Sequence, residues 1–185
     1  MGKLYLIRHG RTEANEKWLY CGSTDLPLSE SGMKLLENIH YDVPENCVFM
    51  TSGMLRTEQT LKILFGDVAH TIDKRFREVD FGIFEMHSYE QLKTDPVYQE
   101  WITGDNEKNI PPNGESGEQM LARVLEGLKD LQKEAKDVVL VTHGGVIAAM
   151  MAHLFPLENK NRYAWQPKPG CGYVIKENGY QELSN

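Results

Sequence analysis

Short apolar runs alternate with amphipathic stretches along this 185-residue chain, and polar, glycine-containing turns separate them. Short continuous runs of apolar or β-branched residues predict buried strands, whereas apolar residues three and four apart predict helices. The predicted strands cover 3–7, 47–50, 68–72, 137–141, 171–176 and 179–183, and the predicted main helices cover 29–40, 54–65, 115–136 and 146–155. This alternation predicts a three-layer α/β/α sandwich with a mostly parallel central sheet.

Residues 83–116 differ from the rest of the chain because they are polar and carry dispersed aromatic side chains. The pattern predicts short helices near 88–94 and 96–103, followed by a loop. We interpret this stretch as a small helical cap inserted into a single domain that spans 1–185.

The hydrophobic fraction (41%) and the charged fraction (25%) are ordinary for a globular domain, and the formal net charge is −7. A general nucleic-acid binder, or a protein held on anionic membranes, needs a basic surface, so we expect neither partner. The three cysteines show no zinc or disulfide spacing, and no apolar run is long enough to span a membrane. The N-terminus lacks the features of a signal peptide, so we expect a cytoplasmic protein.

Three of the predicted strands end in polar turns that carry histidine or arginine. Arg8-His9-Gly10 follows the first strand, Ser52 and Arg56 follow the second, and His143-Gly144 follows a later one. The carboxyl ends of parallel neighbouring strands lie at one edge of a sheet, so we expect these groups to converge. Arginine binds phosphate through a planar charged fork, and histidine acts as a nucleophile or proton carrier near neutral pH. The turns therefore indicate chemistry on an anion, although Arg56 alone could be a surface helix residue and His143 alone an ordinary loop histidine.

With these turns in place, the chain resembles the histidine phosphatase superfamily, the phosphoglycerate-mutase-like enzymes. Five segments match the family's motifs in order: Arg8-His9-Gly10 with Thr12 and Asn15, Ser52-x-x-x-Arg56-Thr57-x-x-Thr60, Arg77-Glu78-x-x-Phe81-Gly82, Gly114-Glu115-Ser116, and Thr142-His143-Gly144-Gly145. One position departs from the pattern, because Met86 follows Phe84-Glu85 where many members have glycine. This position borders the predicted cap, so the departure concerns specificity rather than chemistry.

The resemblance implies that His9 is the nucleophile and forms a phosphohistidine. Arg8, Arg56 and His143 would then surround the phosphoryl oxygens and stabilise their charge as it redistributes. Two neutral donors would complete the substrate-binding site: the side chain of Asn15 and a backbone N–H near Gly144. A nitrogen nucleophile combined with arginines needs no metal, so we expect neither a metal ion nor another cofactor.

By the same resemblance, Glu78 is the general acid. It would protonate the leaving oxygen and later deprotonate the water that attacks the phosphohistidine. Glu85 and Glu115 are the alternative carboxylates, and Glu78 itself could be one solvated charge in a charged segment. Glu115 also suits the start of the following helix, where a carboxylate complements the helix dipole.

The charge of the predicted cap bears on the substrate class. Its acidic residues outnumber its basic ones: Glu85, Glu90, Asp95, Glu100, Asp105, Glu107 and Glu115 against Lys93 and Lys108. A phosphoglycerate mutase must bind a carboxylate and a second phosphate, so this charge disfavours that function, while Arg11 and Lys17 near the site favour it. Three aromatic residues of the cap could either pack internally or stack on a flat organic group: Tyr89, Tyr98 and Trp101.

Three segments are similar to those of α-ribazole phosphatases: Phe81-Gly82-x-Phe84-Glu85-Met86, the run 112–115, and Pro169-Gly170-Cys171. Those enzymes dephosphorylate α-ribazole 5′-phosphate in cobalamin biosynthesis. The resemblance implies a phosphoric monoester hydrolase that acts on a small-molecule phosphate ester, with α-ribazole 5′-phosphate as the named candidate. A broad-specificity acid phosphatase, a phosphoglycerate mutase and a non-enzymatic phospho-ligand-binding protein are the alternatives.

Overall fold

The computed structural model of the protein describes residues 2–105 and 107–184. At its centre is one six-stranded sheet with the strand order β3-β2-β4-β1-β5-β6. The strands are β1 Leu4–Arg8, β2 Val48–Thr51, β3 His70–Ile72, β4 Val138–Thr142, β5 Gly172–Lys176 and β6 Gly179–Leu183. Strands β1 to β4 pair with one another in parallel, whereas β5 is antiparallel to β1 and β6 is antiparallel to β5. The prediction of a mostly parallel sheet is confirmed.

Helices cover both faces of this sheet. The described helices are α1 Glu13–Glu16, α2 Glu30–Leu36, α3 Leu55–Phe65, α4 Tyr89–Leu92, α5 Pro96–Ile102, α6 Gly117–Leu131 and α7 Gly144–Leu154. Successive residues of a strand point to opposite faces. Leu4 and Leu6 of β1 accordingly pack in a cluster with residues of α6 and α7, whereas Tyr5 and Ile7 pack with residues of α3. The predicted three-layer α/β/α sandwich is therefore confirmed.

Two of the predicted helices are shorter than their sequence patterns indicate. Helix α2 begins after Ser29, whose side chain accepts a hydrogen bond from the Gly32 N–H, but it ends at Leu36 rather than at His40. The chain turns there, which buries Ile39 and leaves Leu35 48% exposed. Helix α6 ends at Leu131 instead of residue 136, because the segment 132–136 carries no large apolar side chain to bury.

The segment 83–116, called the cap segment below, contains α4 and α5 close to their predicted positions. Phe84, Leu92 and Tyr98 form a buried apolar cluster, and Trp101 packs against it. Tyr98 is only 1% exposed, and its hydroxyl lies 2.6 Å from that of Tyr20. Of the two alternatives that the sequence leaves open for Tyr98, internal packing is therefore the one that the structure shows.

The stretch 156–170, for which the sequence pattern predicts no element, forms two short 3-10 helices at Pro156–Glu158 and Arg162–Trp165. Trp165 is buried against the cluster of α6 and α7. The chain then returns along the end of β1, where the Gly170 N–H donates to the Arg8 carbonyl over 3.0 Å. This return brings Gln166 and Pro167 to the edge of the sheet where the predicted site residues lie. In the described chain, no helix combines the length and the apolar character that crossing a bilayer requires.

Candidate active site

The three motif-bearing turns lie side by side at one edge of the sheet. Arg8 is paired with Thr142 across β1 and β4, and Thr51 is paired with Val141 across β2 and β4. The residue that follows the end of each strand therefore lies at the same edge of the sheet, because all three strands run in one direction. The rings of His9 and His143 lie 5.2 Å apart between centroids. The structure thus brings the two histidines together, as the sequence predicts.

His9 is 5% exposed, and its Nδ1 lies 2.6 Å from the backbone carbonyl of Gly10. A carbonyl can only accept a hydrogen bond, so Nδ1 carries the ring proton and Nε2 keeps its lone pair. Burial, followed by the charges of Arg56 and Arg8, lowers the pKa of His9 well below its usual value. His9 is therefore a neutral imidazole whose Nε2 carries no proton.

Arg56 is a buried cation and Arg8 a partly buried one, and their described contacts include backbone carbonyls but no ion pair. Arg56 is 1% exposed and donates to Gly22 O over 2.7 Å and to Thr24 O over 2.9 Å. Arg8 donates to Pro167 O over 2.7 Å, and its Nε is buried without a partner among the described residues. Burial lowers the pKa of both guanidinium groups, but arginine stays charged at any physiological pH. Two positive charges withdrawn from water in this way are costly to hold without a counter-ion, so the site suits a dianion such as phosphate.

His143 is fully buried, and its Nε2 lies 2.8 Å from the Ser52 hydroxyl. The Thr57 hydroxyl donates to the Met54 carbonyl over 2.7 Å and lies 3.2 Å from Ser52 Oγ. Because the Thr57 proton goes to Met54, the Ser52 hydroxyl can donate its own proton to Nε2 of the neutral His143 ring, which leaves the ring proton on Nδ1. Burial, then Arg56, His9 and Arg8, lowers the pKa of His143 well below its usual value, and Nδ1 has no partner among the described atoms. Nδ1 is thus the ring nitrogen that can meet a ligand.

Glu78 lies beside the start of α7. Its Oε2 accepts a hydrogen bond from the Gly145 N–H over 2.9 Å, and its Oε1 accepts one from the Val79 N–H over 3.1 Å. The guanidinium of Arg123 on α6 fixes the backbone of this segment by donating to the carbonyls of Arg77 and Glu78 over 2.7 and 3.1 Å. The carboxyl group is therefore held at the sheet edge near the two arginines.

The two alternative carboxylates have other partners. Glu85 accepts hydrogen bonds from Gly22 N (2.9 Å), Ser23 N (3.0 Å) and Thr24 Oγ1 (2.7 Å). This loop, 22–24, is the same one whose carbonyls hold Arg56. Glu115 pairs with Arg123. Among the three candidate carboxylates, Glu78 is the one that both lines a cavity and lies close enough to Arg8 and Arg56 to act on their charges.

Asn15 and Gly144 lie next to this cluster. The Asn15 side-chain oxygen accepts from Thr12 N over 3.0 Å and closes the first turn of α1, so the amide NH₂ group is what Asn15 can offer to a ligand. Gly144 begins α7, and a Cβ there would lie 3.1 Å from the Arg8 guanidinium carbon and 2.4 Å from Gln166 Nε2. Glycine at this position therefore permits the close approach of Arg8 and Gln166.

Two cavities flank the cluster. The larger cavity, of about 700 Å³, is lined by Arg8, Asn15 and Tyr89 among others. The acid pocket, of about 330 Å³, is lined by Glu78, Gly145 and Trp101 among others. Three side chains line both cavities, and the sequence patterns did not single them out: Tyr20, Tyr163 and Gln166. Only the Pro167-Lys168-Pro169-Gly170 run, a rigid turn signal before a strand, could have pointed to this region.

A sequence model of the histidine phosphatase superfamily (branch 1) matches residues 4–183. The chain belongs to this superfamily. Adenosylcobalamin/alpha-ribazole phosphatase of Salmonella typhimurium is 29% identical over 182 residues, which cover 94% of this chain and 89% of the relative. A 2,3-bisphosphoglycerate-dependent phosphoglycerate mutase of Cytophaga hutchinsonii is 27% identical over 167 residues, which cover 82% of this chain and 76% of the relative. The solved structure of a candidate alpha-ribazole-5′-P phosphatase from Escherichia coli has a TM-score of 0.85 and 25% identity, covering 100% of this chain and 96% of the other.

This histidine phosphatase is a phosphoric monoester hydrolase, as the superfamily and the phosphatases among its relatives show. In the described residues, no group of three or more His, Cys, Asp or Glu side chains is arranged to hold a metal ion. The groups that the site offers to a ligand are the arginines Arg8 and Arg56, two neutral histidines and one carboxylate.

Proposed function

We propose that this histidine phosphatase hydrolyses the phosphate ester of a small metabolite through a covalent phosphohistidine at His9. The observation that carries the proposal is the neutral ring of His9, whose Nδ1 lies against the Gly10 carbonyl while the charges of Arg56 and Arg8 lie nearby. A nitrogen nucleophile needs a free lone pair, and the phosphate it attacks needs fixed positive charge. The site combines both.

In the first step, His9 Nε2 attacks phosphorus opposite the leaving oxygen, so that an N–P bond forms as the P–O bond breaks. Arg8, Arg56 and the Nδ1 side of His143 stabilise the three non-bridging oxygens. Asn15 and the N-terminal N–H groups of α7 add neutral donors. Glu78 donates its proton to the leaving oxygen, and the substrate departs as an alcohol.

In the second step, the Glu78 carboxylate takes a proton from a water molecule, which attacks phosphorus. The N–P bond breaks, the lone pair returns to His9 Nε2 and inorganic phosphate leaves. Glu78 is then protonated again and His9 is neutral, so the enzyme has returned to its starting state. This cycle uses only side chains of the chain, and we expect its rate to be insensitive to EDTA.

Relatives named for adenosylcobalamin/alpha-ribazole phosphatase support α-ribazole 5′-phosphate as the ester and cobalamin biosynthesis as the setting. The mutase-named relatives favour a second candidate, transfer of the phosphoryl group on phosphoglycerate. Arg11 lines the larger cavity and could bind a second anion, but Lys17 pairs with Glu13 on the surface. The cap segment offers little more positive charge, because its two lysines form ion pairs: Lys93 with Glu90 and Lys108 with Asp105.

The proposal is tested with His9→Ala and, as a control, His153→Ala, which removes an exposed histidine in the last turn of α7. Wild type and control should hydrolyse p-nitrophenyl phosphate equally, with or without EDTA, and acquire the mass of one phosphoryl group when the reaction is quenched in alkali, where the N–P bond survives. His9→Ala should do neither, and full activity in this variant would contradict the proposal.

The ester is identified by a screen of metabolite phosphates that includes α-ribazole 5′-phosphate. A marked preference in kcat/KM for that compound is the expected result, whereas similar values for many esters would indicate a broad-specificity acid phosphatase. Exchange of phosphate between 2- and 3-phosphoglycerate would instead establish the mutase.

A further inference from the structure

The two cavities beside the phosphate site differ in where they place the proposed acid. Glu78 lines the acid pocket and a third, polar cavity beside Arg77, but not the larger cavity, which instead borders Arg8 and Asn15. A general acid must lie within hydrogen-bond distance of the oxygen that it protonates, directly or through one water. Of the two cavities that Glu78 lines, the acid pocket is the one that reaches Gln166, which lies with Arg8 against Gly144. The leaving oxygen therefore lies on the side of the acid pocket, and the alcohol attached to it continues into that pocket.

One wall of the acid pocket is aromatic and fixed. Tyr20, Phe81, Trp101 and Ile102 line it. The ring of Trp101 lies 5.2 Å from that of Phe84, 5.7 Å from that of Tyr20 and 6.1 Å from that of Phe81, measured between centroids. A side chain with so many ring neighbours keeps one orientation, so it offers a preformed surface to a ring of the substrate.

The charges around the acid pocket disfavour an anionic alcohol. Three carboxylates line it, and the cations nearest to two of them are already paired: Arg162 with Glu107 and Arg123 with Glu115. A carboxylate or second phosphate on the leaving group would lie beside acidic groups without an unpaired cation to meet it. The larger cavity is better suited to an anionic group, because the cations Arg11 and Lys168 line it.

From these observations we propose that the leaving alcohol binds in the acid pocket, against Trp101, and that this pocket selects ring-bearing alcohols that carry no negative charge. The proposal rests on the proposed function, since it takes Glu78 as the acid. It makes Trp101 a specificity-determining residue and assigns no contact with the leaving alcohol to Tyr89, an exposed aromatic residue of the larger cavity.

Benzyl phosphate is a suitable probe, because its poorly leaving alkoxide needs the proton of Glu78 and must therefore lie beside it. Its charged counterpart is 4-carboxybenzyl phosphate. We expect wild type to prefer benzyl phosphate by about tenfold or more in kcat/KM. Trp101→Ala should raise KM for benzyl phosphate about tenfold, and Trp101→Phe should restore most of this loss because a ring is retained.

Tyr89→Ala serves as the matched control and should leave KM for benzyl phosphate unchanged. Inhibition by inorganic phosphate should be the same in all these variants, which shows that each retains a folded phosphate site. Preference of the wild type for the carboxybenzyl ester, or an increase of KM in Tyr89→Ala as large as in Trp101→Ala, would overturn the inference and leave the proposed function intact. Failure of the proposed function has a different signature, namely full activity of His9→Ala on p-nitrophenyl phosphate.

Discussion

At the scale of single residues, His9 and His143 show how surroundings give one side-chain type two states. Both rings are buried beside the same arginines, which lowers the pKa of both. The Gly10 carbonyl holds the proton of His9 on Nδ1, whereas Ser52 lies against Nε2 of His143. The two histidines therefore present different nitrogens to the phosphate site, one suited to attack and the other to binding.

The roles of two neighbouring carboxylates can be separated by substitution. Glu78→Gln removes the proposed acid, so turnover of benzyl phosphate should fall about 10²–10⁴-fold, while p-nitrophenyl phosphate, with its good leaving group, should lose far less. Glu85→Gln loosens the loop 22–24 that holds Arg56, so both substrates should lose kcat/KM by a similar factor, about tenfold to a hundredfold. Steady-state kinetics on both esters measures the difference. Equal losses on both esters in Glu78→Gln would remove that residue from the acid role.

At the scale of secondary-structure elements, the N-terminus of α7 is built to bring charged side chains close to the helix. A Cβ on Gly144 would touch Gln166 and the Arg8 guanidinium, and one on Gly145 would lie 2.4 Å from Glu78 Oε1. The Gly145 N–H also donates to Glu78. The paired glycines therefore hold two charged groups at the first turn of one helix.

Gly145→Ala should displace the Glu78 carboxyl group, because the new methyl group would take the place of Oε1. Alanine is the better helix former by about 0.5–1 kcal/mol, so the variant should be no less stable than wild type. Its turnover of benzyl phosphate should nevertheless fall at least about tenfold, with a smaller effect on p-nitrophenyl phosphate. Kinetics together with urea unfolding would check both parts. Unchanged turnover of benzyl phosphate would show that the carboxyl group is not confined by the helix.

At the scale of the whole molecule, the sheet order decides which loops meet. Strand β4 lies between β1 and β2, although it follows both by more than eighty residues in the chain. Arg123 on α6 then ties the 75–78 segment and Glu115 together, and so joins distant parts of the chain beneath the acid. Burial of the whole site keeps His9 and His143 neutral. The protonation state of the site is therefore linked to the stability of the fold.

This link predicts the pH dependence of stability. Unfolded histidines bind protons near pH 6.5, whereas the lowered pKa values keep His9 and His143 unprotonated in the folded state at that pH. The unfolded state then binds more protons, so the free energy of unfolding should fall as pH decreases below about 6.5, by up to about 1.4 kcal/mol per pH unit for each histidine. Urea unfolding between about pH 5 and 7 measures the slope. His9→Gln removes one of the two histidines, so the part of the slope that the two histidines contribute should fall by about half. An unchanged slope would contradict the prediction.

The sequence alone was sufficient to predict the α/β/α layers, the six strands and the meeting of Arg8, His9, Arg56 and His143, because each of these follows from local periodicity or from the end of a parallel strand. It predicted β6 at its observed bounds and β5 to within one residue, but it extended α2 and α6 too far. Helix ends depend on what the last turns can bury, which the local pattern does not contain.

Only the tertiary structure decided which place each of several chemically similar side chains takes in the site or in the core. It placed Glu78 at a cavity and bound Glu85 to the loop 22–24, buried Tyr98, and set Trp101 in the pocket wall. It also selected the Gly10 carbonyl as the partner of His9 and brought in Gln166 from a stretch without a pattern. Each of these outcomes depends on the groups that surround a side chain once distant segments are packed together, and packing of this kind has no period in the chain.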